Sequence, residues 1–297
     1  MKLFDLHCDT ISEMYASGQR LSDNTLDISL RKAEKYEQYS QLFAIYSTQR
    51  LPDEDNWARF FCILRHAMPE LKRSARFTPY LAVEGGKLLG SDLSRLDILY
   101  EKGVRFLTLV WGDTCCVGGA HNTDIGLTSF GRDVVRRCLK LGIVPDLSHA
   151  SDVTFAEACE IAEAAGKPVI ATHSNSRAVC NHRRNLTDDM FRRIRDLGGI
   201  VGISMCRPHL SETGVCTVDT VLAHIEHDLS LGGENTLCMG GDLDGIGDAA
   251  PDGIRTVADM EKIADTMAAH GYSDTLIGKI MYQNAADFMA RNQIASL

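Results

Sequence analysis

Short apolar runs alternate with longer amphipathic stretches along almost the whole chain. Read as strands, the runs are Lys2–Leu6, Leu42–Ser47, Pro79–Val83, Phe106–Val110, Ile143–Asp146, Val169–Thr172, Ile200–Ile203 and Leu237–Gly240, eight in all. Between them apolar positions recur at helical spacing. Ser129–Leu141 carries Val134, Val135, Cys138 and Leu139 and stops before Gly142. Asp152–Ala165 is alanine-rich and ends at Gly166, a C-cap signal. Thr187 followed by Asp188 and Asp189 has the form of a helix N-cap with favourable dipole charges. Val218–Leu231 runs to Gly232, and the tail Asp274–Arg291 places Ile277, Ile280, Met281, Ala285 and Phe288 on one face.

Alternating βα units imply a parallel sheet. Eight of them in 297 residues predict an α/β fold, a single (β/α)8 barrel domain over 1–297 with its active site at the C-terminal ends of the strands. A doubly wound open sheet would normally show a glycine-rich phosphate loop after its first strand, and "DLHCDT" is no such loop.

Composition narrows the partners. A net charge of −9 without a basic block argues against nucleic acid. No apolar stretch approaches the roughly 20 residues of a membrane span. The first strand starts at residue 2 or 3, leaving no room for a targeting peptide. These features predict a cytoplasmic protein with no membrane partner; assembly as a homodimer stays open. The ten cysteines include no CxxC, which disfavours a zinc ribbon or thioredoxin-type site, and most read as small buried hydrophobes.

The chemistry gathers behind the strands. The first strand is followed by His7 and Asp9, whose i, i+2 spacing turns both side chains to the same face. Taken alone, such a pair reads more readily as a hydrogen-bonded strand-end feature, since two-residue motifs recur by accident. Yet Glu84 follows the third strand, His149 the fifth, His173 the sixth, and Asp242 and Asp244 the eighth. A barrel would bring all of them to one rim. By contrast, His224 and His227 lie mid-helix without an HExxH order and read as surface or packing residues, and His66, His209 and His270 have no supporting pattern. Imidazole nitrogen and carboxylate oxygen suit Zn(II) and similar divalent ions. His7, Asp9, Glu84, His149 and His173 are too many for one tetrahedral ion and divide between two if one carboxylate bridges. Two such ions can share a hydroxide and orient a scissile carbonyl. Asp242 or Asp244 then supplies the proton shuttle.

The segments "DLHCDT", "AVEGG", "LTSFGRDVVRRCLKLGIVPDLSHAS", "THSNSRAVCNHRRNLTDD" and "GGDLDG" extend over nearly the whole chain. In this order the sequence resembles the membrane dipeptidase (renal dipeptidase, peptidase M19) family of the amidohydrolase superfamily, distinguished by HxD with a glutamate after strand three. The resemblance implies a metal-dependent dipeptidase with two divalent ions, Zn(II) foremost. His7 and Asp9 would bind the first, His149 and His173 the second, and Glu84 would bridge them. Arg184 would receive the C-terminal carboxylate of a dipeptide, a bidentate match of guanidinium and carboxylate, with Arg183 as its rival. Asp242 matches the family's catalytic aspartate. In one respect the chain departs from the family. Where many members carry a substrate-contacting histidine after strand four, this chain has Trp111, and His121 lies ten residues further along the same loop. Substrate range and stereochemical preference therefore stay open. The other readings are a related amidohydrolase acting on N-acyl amino acids, lactams or lactones, and a catalytically silent metal-binding protein.

Overall fold

A computed structural model describes residues 1–297. In chain order the elements are β1 (Lys2–Cys8), α1 (Thr10–Ser17), β2 (Gln38–Tyr46), α2 (Asp53–Ala67), β3 (Phe77–Glu84), α3 (Arg95–Glu101), β4 (Val104–Thr108), α4 (Ser129–Leu141) and β5 (Val144–Asp146). There follow α5 (Asp152–Ala164), α6 (Asp188–Asp196), β6 (Val201–Ile203), α7 (Arg207–Leu210), α8 (Val218–Ser230), β7 (Leu237–Met239), α9 (Glu261–Ala269), α10 (Asp274–Gly278) and α11 (Asn284–Arg291). The seven strands form one sheet in the order β5-β4-β3-β2-β1-β7-β6, and every pair is parallel.

The ring needs one more member, and Val169–Thr172 supplies it in reduced form. Ile170 bridges to Asp146 and Ala171 to Val201, so this segment lies between β5 and β6 without making a full ladder. The reason is local competition for its backbone. The amide of Thr172 donates to the Asp146 carboxylate at 2.9 Å and that of His173 to the Ser148 hydroxyl at 3.1 Å. Side chains have replaced the strand partners at this point.

Period-2 alternation sorts the strand side chains into two populations. Phe4 and Leu6, Leu42 and Ala44, Tyr80 and Ala82, and Phe106 face the interior, where Ala285, Phe288 and Met289 of α11 pack against them. The intervening residues, such as Leu3, Phe43, Ile45, Leu81 and Val83, face the helices in the larger outer core. The interior residues lie toward the strand starts, so α11 closes the barrel at the end opposite the strand-end carboxylates and histidines. Phe106 is fully buried there, and truncating it to alanine should cost about 3–5 kcal/mol.

The tail helix departs from its single-face pattern. Lys279–Gln283 widens into a π-helical turn between α10 and α11. Ile280 and Met281 then join the outer core, while Ala285 and Phe288 join the interior. An extra residue per turn re-aims the face that follows it. Other expectations hold closely: α4 begins and ends where its pattern does, and Thr187 caps α6 by accepting from Met190 N at 3.2 Å. No helix is long and apolar enough to cross a membrane. All ten cysteines are free, and six of them are buried.

Candidate metal centre

The strand-end residues do converge. β1 delivers His7, and Asp9 follows at the N-cap position of α1. Glu84 is the last residue of β3. His149 and Asp242 sit in loops after β5 and β7 with φ of +69° and +58°, a left-handed conformation uncommon for residues with a Cβ. The β7 loop is pinned to β1: the Asp242 amide donates to the His7 carbonyl at 3.1 Å, and the Asp9 amide to that of Leu243 at 3.1 Å. Gly245 is needed here because a Cβ would collide with the carboxylates of both Asp9 and Asp242.

Glu84 lies at the centre. Its Oε1 is 3.6 Å from His7 Nε2, 3.0 Å from His149 Nε2 and 3.3 Å from His173 Nε2. His149 Nε2 and His173 Nε2 are 2.9 Å apart, and His7 Nε2 is 3.7 Å from Asp9 Oδ2 and 3.9 Å from Asp242 Oδ1. Two three-residue sets with metal-ligand spacing share Glu84, one with His7 and Asp9 and the other with His149 and His173. A third joins His7, His173 and Asp242.

The donor chemistry fits a divalent ion. His7 Nε2 and Asp9 Oδ1 are buried without a hydrogen-bond partner. Burial, followed by the positive charge of Arg184, holds His149 neutral, and burial with His7 and Arg184 does the same for His173. Neutral imidazoles are what a metal requires. Burial also opposes charge on His7, but Glu84, Asp9 and Asp242 outweigh it and raise its pKa well above the usual value. Burial together with the Asp9 charge raises Glu84. Burial is the main cause that pushes Asp242 up to about 8. Carboxylates crowded in this way await a compensating cation.

Residues with no sequence signal fix the proton positions. Asp146 is fully buried, and its Oδ2 accepts from Thr108 Oγ1 at 2.5 Å and from Thr172 Oγ1 at 2.7 Å. Its Oδ1 accepts from the amides of Ser148 and Thr172. The Thr172 hydroxyl thus gives its only proton to Asp146, leaving its lone pairs for His173 Nδ1 at 2.7 Å and His7 Nδ1 at 3.3 Å. Both rings therefore carry a proton on Nδ1, and the neutral His173 turns its Nε2 lone pair toward Glu84.

The remaining candidates separate clearly. Arg184 is buried and spends Nη1 on Ser174 Oγ at 2.8 Å, while its Nε and Nη2 have no partner. Arg183 is exposed and paired with Asp124. Asp244 has both oxygens engaged, by Thr10 Oγ1 and the Asp27 amide, each at 2.6 Å. Trp111 and His121 both approach His149, with ring centroids 5.9 and 6.0 Å away. His209, passed over for want of a strand-end position, lines the same cleft of about 330 Å³ as Glu84 and Asp242. Larger grooves of about 530 and 570 Å³ on the outer surface contain none of the candidate ligands. His224, read as a surface or packing residue, is a packing one, fully buried between the Ser176 amide and the Leu210 carbonyl.

The family model described as membrane dipeptidase (peptidase family M19) matches residues 60–295. The chain belongs to the membrane dipeptidase family. A metallo peptidase from Rhodobacter sphaeroides, liganded with a phosphinate mimic of the dipeptide L-Ala-D-Ala, superposes with a TM-score of 0.89 at 25% identity, over 98% of this chain and 99% of that one. Dipeptidase AC, also of family M19, gives a TM-score of 0.89 at 26% identity over 99% of both chains. Human Dipeptidase 3 is 33% identical over 224 residues, 72% of this chain but only 45% of the human protein. This membrane dipeptidase family member therefore spans less than half of that curated relative, while it matches the two solved chains over nearly their whole length.

Proposed function

We propose that this membrane dipeptidase family member hydrolyses dipeptides bearing a free C-terminal carboxylate, with two divalent ions, Zn(II) foremost. His7 and Asp9 would hold one ion, His149 and His173 the other, and Glu84 both. The observation that carries the reading is the position of Glu84 Oε1, within 3.0–3.6 Å of three imidazole Nε2 atoms. When bound, the ions polarise the scissile carbonyl and make water a competent nucleophile at neutral pH.

The chain's own residues supply the rest. Arg184, with two unpartnered guanidinium nitrogens in a buried setting, receives the substrate carboxylate as a charge-assisted fork. That grip sets the distance from the C-terminus to the scissile bond, so dipeptides fit and longer chains do not. Asp242, unlike Asp244, has a carboxylate free to take a proton from the attacking water and pass it to the departing amine. Trp111 lines the substrate cleft beside His149, His121 stands 6.0 Å from the same ring, and both shape the side-chain preference. Free thiols throughout the chain suit a reducing cytoplasm.

The test is metal analysis of protein prepared without chelator, followed by a dipeptide library assayed after reconstitution with zinc, cobalt or manganese. Two ions per chain and turnover of free dipeptides, but not of their C-terminal amides, are expected. No metal uptake from any of the three, or equal rates on acids and amides, overturns the reading.

A further inference from the structure

Besides the buried Arg184, another arginine stands near the ligands and opens onto the cleft. Arg59, on α2, lines it together with Glu84, Trp111 and Asp242. Its guanidinium donates to the Tyr46 carbonyl oxygen at 2.6 Å. Neighbouring Arg95 is paired with Glu54, whereas no carboxylate of the chain pairs with Arg59. One of its five N–H donors is thus committed, and the others remain for a ligand.

Its place in the ring gives this donor a direction. Tyr46 ends β2 in register with Glu84, so the anchoring carbonyl belongs to the strand next to the one that carries the central ligand, about 4.8 Å away backbone to backbone. Arg184 belongs to the loop after the sixth ring position, filled by Ile170 and Ala171. In an eight-membered ring the second and sixth positions face each other across the axis. A substrate with its C-terminal carboxylate at Arg184 and its scissile bond at Glu84 therefore extends its first residue toward Tyr46 and Arg59. The ring of Tyr46 meets that of Trp111 edge-on at 4.8 Å and walls this end of the cleft. Glu13, exposed on α1, borders the same side and offers a carboxylate to the first residue's ammonium group.

Building on the dipeptidase reading, we propose that Arg59 selects substrates whose first residue carries a carboxylate side chain, so that the preferred class is Glu-Xaa and Asp-Xaa dipeptides. The two carboxylates of such a molecule are then held at opposite sides of the metal ligands, one by Arg184 and one by Arg59.

The experiment compares kcat/KM for Glu-Ala, Asp-Ala, Gln-Ala, Ala-Ala and Lys-Ala on the zinc-reconstituted protein. Glu-Ala should exceed its neutral isostere Gln-Ala by about fivefold to tenfold, the scale of one partly exposed charge-assisted contact. Arg59→Met should bring that ratio to about one. Arg59→Glu should turn the preference toward Lys-Ala, a gain that misfolding cannot produce. The proposal is overturned if wild type cleaves Ala-Ala but treats Glu-Ala and Gln-Ala alike, or if both variants keep the acidic preference. Cleavage of no dipeptide at all defeats the dipeptidase reading beneath it, a distinguishable result.

Discussion

β1, β2 and β3 are seven, nine and eight residues long, whereas β5, β6 and β7 have three residues each. The candidate site straddles these two halves, and they hold their share of it by different means. Glu84 sits on a long strand whose backbone ladder fixes it, and His7 lies at a register shift near the end of β1, its amide donating to Asp5 Oδ1 at 2.9 Å. His149, His173, Arg184 and Asp242 lie in loops, two of them at positive φ; the loops of the first three donate to the accepting side chains of Asp146, Ser148 and Ser174, while the Asp242 amide donates to the His7 carbonyl. The long strands act as a frame, and the short half trades regular pairing for polar side chains that reach the chemistry. A ladder tolerates side-chain substitution because main-chain atoms make it. A side-chain network does not.

The largest effect should come from the short half. Asp242→Asn should bind both metals yet lose turnover by about 10²–10⁴-fold, the scale of a general acid–base group. Comparing its metal content and kcat with those of Asp244→Asn checks this. The Asp244 variant disturbs the Thr10 and Asp27 contacts and should lower the melting temperature more than the rate. If Asp244→Asn alone abolishes turnover, the assignment is reversed.

Arg184→Ala comes next. Removing a buried charged partner of a substrate carboxylate should cost about 2–5 kcal/mol, roughly 30-fold or more in kcat/KM for free dipeptides. The same change should leave rates on C-terminal amides nearly untouched, and paired kinetics on acid and amide substrates read the difference. Equal losses on both would place Arg184 in structure and not in recognition.

Thr172 tests whether the network or the ladder sets ligand order. Thr172→Val keeps the shape and removes the hydroxyl that His7 and His173 share. Chelator competition should show metal affinity falling about 10–100-fold, and Thr172→Ser should restore it. Because that hydroxyl touches a histidine in each ligand set, both ions should loosen together. Loss of only one would show that the two sets are independent.

The smallest effect is a pH slope. Burial, then the charge of Arg184, lowers His209 to about 2 and His121 to about 4. Their folded-state values lie below those of the unfolded chain, so the unfolded state takes up protons first. Stability is then fully present above about pH 6.5 and falls as the medium becomes more acidic, with His121, partly exposed, contributing less than its shift because solvent screens it. His121 stops contributing to the slope below about pH 4, while His209 continues toward pH 2. Urea midpoints measured from pH 7 to pH 4 should show a shallower decline for His209→Asn than for wild type. Parallel curves would refute the assignment.

The sequence by itself determined the framework of this protein. The alternation of apolar runs and amphipathic stretches located the strands and set α4 at Ser129–Leu141, because burial on one face imposes its period on the residues. The order of His7, Asp9, Glu84, His149, His173 and Asp242 behind those strands named the candidate ligands, because a parallel barrel brings all its strand ends to one rim. The family resemblance already preferred Arg184 to Arg183 and Asp242 to Asp244, and the tertiary structure adds a physical contrast within each pair. In each pair the residue types are identical, and the difference lies in which neighbours already satisfy the charge. It likewise brought in Thr172, Asp146, His209 and Arg59, whose roles depend on partners far away in the chain. It also reduced the sixth strand to two bridges, since hydrogen bonds from its backbone amides to side chains distant in sequence leave no periodic trace along the chain.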